Sequence, residues 1–307
     1  MIPATVLALL ASLAYGSSDF VAGLISRRVS SVTVALWSQL AGAAALSVAL
    51  AVSGQRPDAP GILWGVAAGV TVAVGIISLY RALAIGPASV AAPVAASAVA
   101  IPVLVGLLGG NPPSPIVVLG LAVTVGGVAL VSFAGAEEDE GVAMSMPGHG
   151  LPLEGNAPSG RGARRVVPLS LLSALCFGSF FVLLDLGTSA AGGTGGAPLW
   201  VALGIYVGAL PTTVAAAVIS RRTGGMRSPP AQLLAPVALV GLLALGADIS
   251  LTLALASGQI AVVSVLASLD PLVTVLLARI VLAERLPRLQ SAGVVMALAG
   301  VILVSSG

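Results

Sequence analysis

The sequence predicts an all-α polytopic membrane protein, ten transmembrane helices in two inverted five-helix repeats. Three observations predict it: scarcity of charge, the spacing of apolar runs, and the repetition of one half of the chain in the other. Of 307 residues, 58% are hydrophobic and 8% charged, against roughly 25% charged in an ordinary soluble domain. A soluble chain of this length needs a polar shell that so few charges cannot make. All 13 basic residues are arginine, and none of them forms the one-sided basic stripe that nucleic-acid binding requires, so no nucleic-acid partner is expected. The single cysteine, Cys176, excludes an intramolecular disulfide framework and any cysteine-rich metal site. The lone His149 lies in a polar Gly/Pro-rich segment and reads as a solvated loop residue.

A helix crossing ~30 Å of hydrocarbon needs about 20 apolar residues. Reading between charges and Pro/Gly breaks places spans near 2–26, 32–52, 62–85, 88–109 and 115–134, then near 166–186, 198–219, 232–256, 260–282 and 289–305. The first of these lacks a basic flank and stays apolar through Val21 to Ile25. That is too long for a signal-peptide core, so it is expected to be retained as a span. Three parts follow: a first five-helix repeat over 1–135, a flexible polar linker over 136–165, and a second repeat over 166–307. The linker holds Glu137, Glu138, Asp139 and Glu140, then Arg161, Arg164 and Arg165, and little that could pack.

The repeat is read from matches that keep their order. Ala82, Leu83, Ala84 and Gly86 answer Ala254, Leu255, Ala256 and Gly258; Gly120 answers Gly293; the run GVALVS at 127–132 answers GVILVS at 300–305. Earlier, Tyr15-Gly16-Ser17 answers Phe177-Gly178-Ser179, and Leu36-Trp37 answers Leu199-Trp200. Five spans are an odd number, so the second half enters the bilayer upside down. Many secondary transporters share this plan, with the binding site near the midplane between halves. The loops bearing Arg27 and Arg28, Arg161 to Arg165, Arg221 to Arg227, and Arg285 and Arg288 fall on one side, and Arg56 on the other. By the positive-inside rule the arginine-rich side is cytoplasmic, and both termini lie outside.

Leu269-Asp270-Pro271, Ala283-Glu284-Arg285, Gly293 and the closing GVILVS run resemble the end of an EamA-type repeat of the drug/metabolite transporter superfamily. The resemblance covers nearly the whole chain outside the linker. It implies a ten-helix, exporter-like carrier of small metabolites or drugs in a bacterial plasma (inner) membrane. Two positions depart from the pattern: the first half has Asn111-Pro112-Pro113 where the second has Glu284-Arg285-Leu286, and the residue before the proline is the charged Asp270.

An acidic side chain at mid-bilayer costs ~2.5–3.5 kcal/mol on insertion scales, so each one requires a reason. Seven of the 11 acids lie in loops or turns and Asp185 at a span end, which leaves Asp19, Asp248 and Asp270 inside helices. Asp248 and Asp270 flank the turn at Gly258-Gln259 at nearly equal separation, so both come ~15 Å from it at the helical rise. Pro271 cannot donate an N–H and frees the carbonyl of Ala267, an opening tolerated in a membrane where it lines a cavity. Two carboxylates at one depth cannot both ionise cheaply, which makes a coupling proton the expected partner of a cationic or polar substrate. The structural alternative is that each Asp bonds Ser250, Ser268 or a carbonyl and joins helices. Asp19 is expected to pair with Arg81. Trp37, Gln39, Tyr80 and Tyr206, with Trp200, are candidates for lining a central cavity, against an interfacial aromatic belt as the alternative.

No helical His, phosphate-binding Gly-Lys-Ser/Thr loop or paired His/Cys spacing is present. No enzymatic chemistry, cofactor or metal is therefore expected, and the partners are a small-molecule substrate, the lipid bilayer and protons. Two other readings compete. An integral-membrane enzyme acting on lipid would have Glu284-Arg285 as its polar cluster, and a non-transporting assembly subunit would have no water-accessible cavity.

Overall fold

The computed structural model describes residues 2–26, 28–29, 31–85, 94–95, 97–109, 113–138, 160–190, 197–220, 229–281 and 288–306. All regular structure among them is helical: α1 (Ala4–Ser26), α2 (Ser31–Ser53), α3 (Ala59–Ile85), a 3₁₀ turn (Ser97–Val99), α4 (Ala100–Leu108), α5 (Pro115–Glu138), α6 (Gly160–Ala190), α7 (Ala197–Ser220), α8 (Ala231–Leu255), α9 (Ile260–Ala267), α10 (Asp270–Val281) and α11 (Arg288–Ser306). Among the described residues seven helical segments are long and apolar enough to cross a membrane. Three shorter apolar helices, Ser97–Leu108, Pro115–Val131 and Ser291–Val304, accompany them.

The outer surface fits lipid and not water. Val52, Leu108, Ile280 and Ile302 are exposed by 83%, 85%, 75% and 69%, which in water would make large apolar patches of the kind soluble monomers avoid. Hydroxyls inside the bundle bond back to their own helices: Thr71 to the Ala67 carbonyl, Ser78 to Val74, Thr124 to Gly120 and Ser170 to Val166. With no water to solvate them in hydrocarbon, this local bonding satisfies each group without a partner helix. The chain is a multi-pass membrane protein.

Packing crosses between the halves. α3 lies on α6 and α7, while α8 lies on α1 and α2, and α5 lies along α11. Small residues set the distances, because between helices in lipid close backbone approach replaces the hydrophobic drive. Gly65 meets Val201 and Gly204, and Gly69 meets Ile205 and Ala209, so α3 and α7 run parallel. Gly120 meets Gly300 and Val304, and Gly127 meets Gly293 and Ala297, so α5 and α11 run antiparallel.

Two of the expected spans are interrupted. The run 260–282 is a candidate span with the opening expected at Pro271: α9 stops at Ala267 and α10 starts at Asp270. Pro271 has no N–H for the Ala267 carbonyl, and the chain re-forms one turn later, with Leu272 N–H donating to the Leu269 carbonyl at 2.9 Å. In the run 88–109 a 3₁₀ turn at Ser97–Val99 precedes α4. Pro102 stands four residues after Ala98 and withholds the same bond. Within the stretch 136–165 expected as a linker, α5 runs on to Glu138 and α6 begins at Gly160. Its remainder lies outside the described residues, as do Glu284 and Arg285.

Candidate functional site

The site is built around α1, which packs against α8 on one side and against α9 and α10 on another. Its segment Tyr15-Gly16-Ser17-Ser18-Asp19 places polar groups on successive faces of one turn. Tyr15 Oη donates to Asp248 Oδ1 on α8 at 2.5 Å. Ser18 Oγ donates to the Val240 carbonyl, two turns along α8, at 3.0 Å. Toward α10, Thr274 Oγ1 lies 3.0 Å from the Gly16 carbonyl and 3.1 Å from that of Asp270, and donates between them. Gly16 is what permits this approach. A Cβ there would stand 2.6 Å from the Asp270 carbonyl oxygen and 2.5 Å from Val273 Cβ.

This geometry changes the relation expected between the two aspartates. α1 packs on both α8 and α10; Asp248 is held by Tyr15, and Asp270 lies within electrostatic reach of Asp19 instead. Tyr15 is within reach of the charge of both Asp248 and Asp270. The expected Asp19–Arg81 ion pair does not form. α3, which carries Arg81, packs on α6 and α7 rather than on α1, and Arg81 is exposed. Arg28, Arg56, Arg279 and Arg288 are exposed as well, so none of these five arginines is buried beside the three carboxylates. A hydrogen bond to an ionised group contributes ~1.5–3 kcal/mol. That is close to the ~2.5–3.5 kcal/mol insertion cost of one aspartate, so the Tyr15 bond offsets most of the cost of Asp248 and none of the cost of the other two.

Beside Asp248 stands Tyr206 of α7, 4% exposed and packed with Leu46, Leu50, Ala202 and Leu245. Its hydroxyl stands beside the Asp248 carboxylate and interacts with it, short of a well-formed hydrogen bond. Trp200 packs on the same cluster, half-buried, with Nε1 unbonded. Gln39 is half-buried with Oε1 sealed from solvent and unbonded. Trp37 stands exposed on α2. The side chain of Tyr80 lies outside the described residues. Among the described residues no three His, Cys, Asp or Glu side chains converge as metal ligands would.

The pseudo-equivalent positions of the other half hold no such chemistry. By the register of the sequence repeat, Tyr15, Asp19, Asp248 and Asp270 correspond to Phe177, Phe181, Ile76 and Ala98. The backbone contact is nevertheless reproduced: a Cβ at Gly178 would stand 2.6 Å from the Ala98 carbonyl oxygen, as one at Gly16 would from that of Asp270. One packing scheme thus occurs twice, and its polar version once. At one end of the bundle, where α1 and α5 begin and α8 turns into α9, lies a cavity of about 350 Å³ lined by Pro3, Thr5, Ser114, Gly258 and Gln259 among others. Thr5 is ten residues from Tyr15 on α1, ~15 Å along the helix.

Sequence reasoning used Tyr15 only as a repeat marker and passed over Thr274. The signal for Tyr15 was available: it is the one hydroxyl gained where the repeat has Phe177, and it stands at i,i−4 from Asp19. Thr274 carried no comparable signal.

A family model described as the EamA-like transporter family matches residues 2–133 and 164–306. No curated protein matches the sequence. Among solved structures, one described only as "Crystal structure of protein" superposes with a TM-score of 0.69 at 16% identity, covering 99% of this chain and 97% of that one. At that identity the likeness speaks for the fold alone.

Proposed function

Because the chain belongs to the EamA-like transporter family, we propose that it is a secondary carrier, exporting a small metabolite or drug by alternating access and exchanging it for protons. The observation that carries this reading is the set of buried or half-buried carboxylates on α1, α8 and α10, while Arg28, Arg56, Arg81, Arg279 and Arg288 are exposed. Such a set in a bilayer is expensive unless it is used. Two inverted five-helix halves, 1–135 and 166–307, making ten spans in all, supply the moving parts. Support for inversion comes from the antiparallel α5–α11 contact and from the exchange of packing between α3 and α8. The α1 segment is bonded to α8 by Tyr15 and Ser18 and to α10 by Thr274. Both sets join the first half to the second, so rocking one half against the other would work on each of them.

In a bacterial inner membrane the arginine-rich loops would face the cytoplasm. Single cysteines at Arg28 and Arg56 test this orientation, since the native Cys176 is buried and adds little background. A membrane-impermeant maleimide applied to intact cells should label the Arg56 position and spare Arg28; the reverse pattern would invert the topology. The function itself is tested with purified protein in proteoliposomes. Under an imposed pH gradient, members of a metabolite panel should move faster than in protein-free vesicles. If no panel member does so, and no proton flux follows substrate addition, the carrier reading fails.

A further inference from the structure

We infer that Thr274 is a positioning residue of the site: its hydroxyl pins the first turn of α10, and with it Asp270, onto α1 at Gly16. This deepens the carrier reading and rests on it only for why Asp270 has to be held in place. Asp270 opens α10 just after the break at Ser268-Leu269, and a helix terminus is where the ladder constrains the chain least. Pro271 withholds the bond that would tie this turn back to the Ala267 carbonyl. Across the break, Leu269 N–H reaches the Leu266 carbonyl at a long 3.4 Å. The lateral hold comes from Thr274, which is 7% exposed. Its Oγ1 lies 3.0 Å from the Gly16 carbonyl on α1 and 3.1 Å from the Asp270 carbonyl on its own helix.

Neither carbonyl depends on this hydroxyl, because the helical ladder supplies Gly16 with the N–H of Phe20 and Asp270 with that of Thr274. The hydroxyl has one proton. It gives that proton to α1 while the seam is closed and keeps it on its own helix when the seam parts. No buried donor is left bare in either arrangement, so the hold can be made and released at the cost of one shared hydrogen bond. The other half of the chain shows that packing alone does not call for it. By the register of the repeat, Gly16, Asp270, Val273 and Thr274 correspond to Gly178, Ala98, Ile101 and Pro102. A Cβ at Gly178 would stand 2.6 Å from the Ala98 carbonyl oxygen and 2.7 Å from Ile101 Cβ, and one at Gly16 2.6 Å from the Asp270 carbonyl oxygen and 2.5 Å from Val273 Cβ. The same close approach thus forms where the place of Thr274 is taken by a buried proline that can donate nothing. The hydroxyl is found where the turn carries a carboxylate, and is missing where it carries Ala98.

The test reads the reach of each carboxyl without any substrate. Full-length protein in lipid nanodiscs is treated with dicyclohexylcarbodiimide, an apolar carboxyl reagent, and labelling of Asp270 and Asp248 is followed by peptide mass spectrometry. Thr274→Val keeps the shape and removes the hydroxyl. It should speed labelling of Asp270 about two- to tenfold, the loosening that loss of one hydrogen bond allows. Asp248 is bonded to Tyr15 where α1 packs on α8, and its rate should change by less than about twofold, as for a site not coupled to the substitution. Thr274→Ser keeps the hydroxyl and should label Asp270 at close to the wild-type rate. An Asp270 rate that Thr274→Val leaves unchanged would overturn the inference. So would equal acceleration at Asp248, which marks general loosening, or a Thr274→Ser protein labelled as fast as Thr274→Val, which marks lost packing. Failure of the carrier reading is seen elsewhere: wild-type protein would move no panel compound and no protons in proteoliposomes, while the labelling rates still decide the role of Thr274.

Discussion

Asp248→Asn and Asp270→Asn are each expected to abolish the pH dependence of transport while the protein stays folded and inserted. Proton exchange at this site needs a group that can take up and release a proton within the bilayer. The titratable side chains facing it from the packed helices are Tyr15 and Asp19 on α1, Tyr206 on α7, Asp248 on α8 and Asp270 on α10. Of these, the carboxylates are the groups whose proton this mechanism would exchange. Asn keeps an oxygen that can accept from Tyr15 and has nearly the volume of Asp, so packing along α1 should survive. Removing a mid-membrane charge relieves an insertion cost of ~2.5–3.5 kcal/mol, so the amount of folded protein should hold or rise. The measurement is initial transport rate in proteoliposomes between mildly acidic and mildly alkaline pH, with folded yield followed by size exclusion. A wild-type profile in both variants would make the aspartates structural and end the exchange mechanism. Asp19→Asn extends the test, because Asp19 is the carboxylate nearest in effect to Asp270. Its loss should shift the wild-type profile rather than flatten it.

Gly65→Leu is expected to prevent a folded bundle from forming. A Cβ at Gly65 would already stand 2.9 Å from the Gly204 Cα and closer still to the Val201 carbonyl oxygen, and both contacts are backbone that cannot rotate away. Gly204 meets Gly65 from the other side, so the α3–α7 seam cannot widen at one helix alone. Overpacking in a tight core typically costs ~1–3 kcal/mol and sometimes more. With one Cβ, Gly65→Ala should lower the unfolding temperature and leave a folded protein. With a full isobutyl group, Leu should leave mostly aggregate on size exclusion. Gly246 is the control: a Cβ there meets nothing within 4 Å, so Gly246→Ala should be neutral or slightly stabilising through helix propensity. A stable, monodisperse Gly65→Leu protein would mean that the parallel α3–α7 contact is not as drawn.

Much of this architecture is legible in one dimension because the bilayer imposes a one-dimensional rule. Among the described residues the apolar runs are helical, since unbonded backbone is not tolerated in hydrocarbon. The described helices start and stop within a few residues of the charges and Pro/Gly breaks that delimit the runs. Where the rule meets a proline it gives way, at Pro271, where the sequence already marked the freed Ala267 carbonyl, and beside Pro102, where it was not marked. The three intramembrane aspartates stand out for the same reason as the helices, since each is an exception to a costly rule. Tyr15 and Thr274 are not exceptions of that kind: a hydroxyl among apolar residues bonds its own helix so readily that its presence says nothing of a partner.

The sequence by itself determined that the chain spans a membrane, where most of its helices run, and which carboxylates lie inside them. Each of those follows from transfer free energy, which is a property of a residue and its immediate neighbours along the chain. Only the tertiary structure decided who faces whom: α1 packing on both α8 and α10, Asp248 bonded to Tyr15, Asp270 set near Asp19, and Arg81 turned outward. Those pairings depend on which glycines let two helices close to backbone contact. Gly16, Gly65 and Gly204 look alike in sequence, and only the helix on the far side of each distinguishes them.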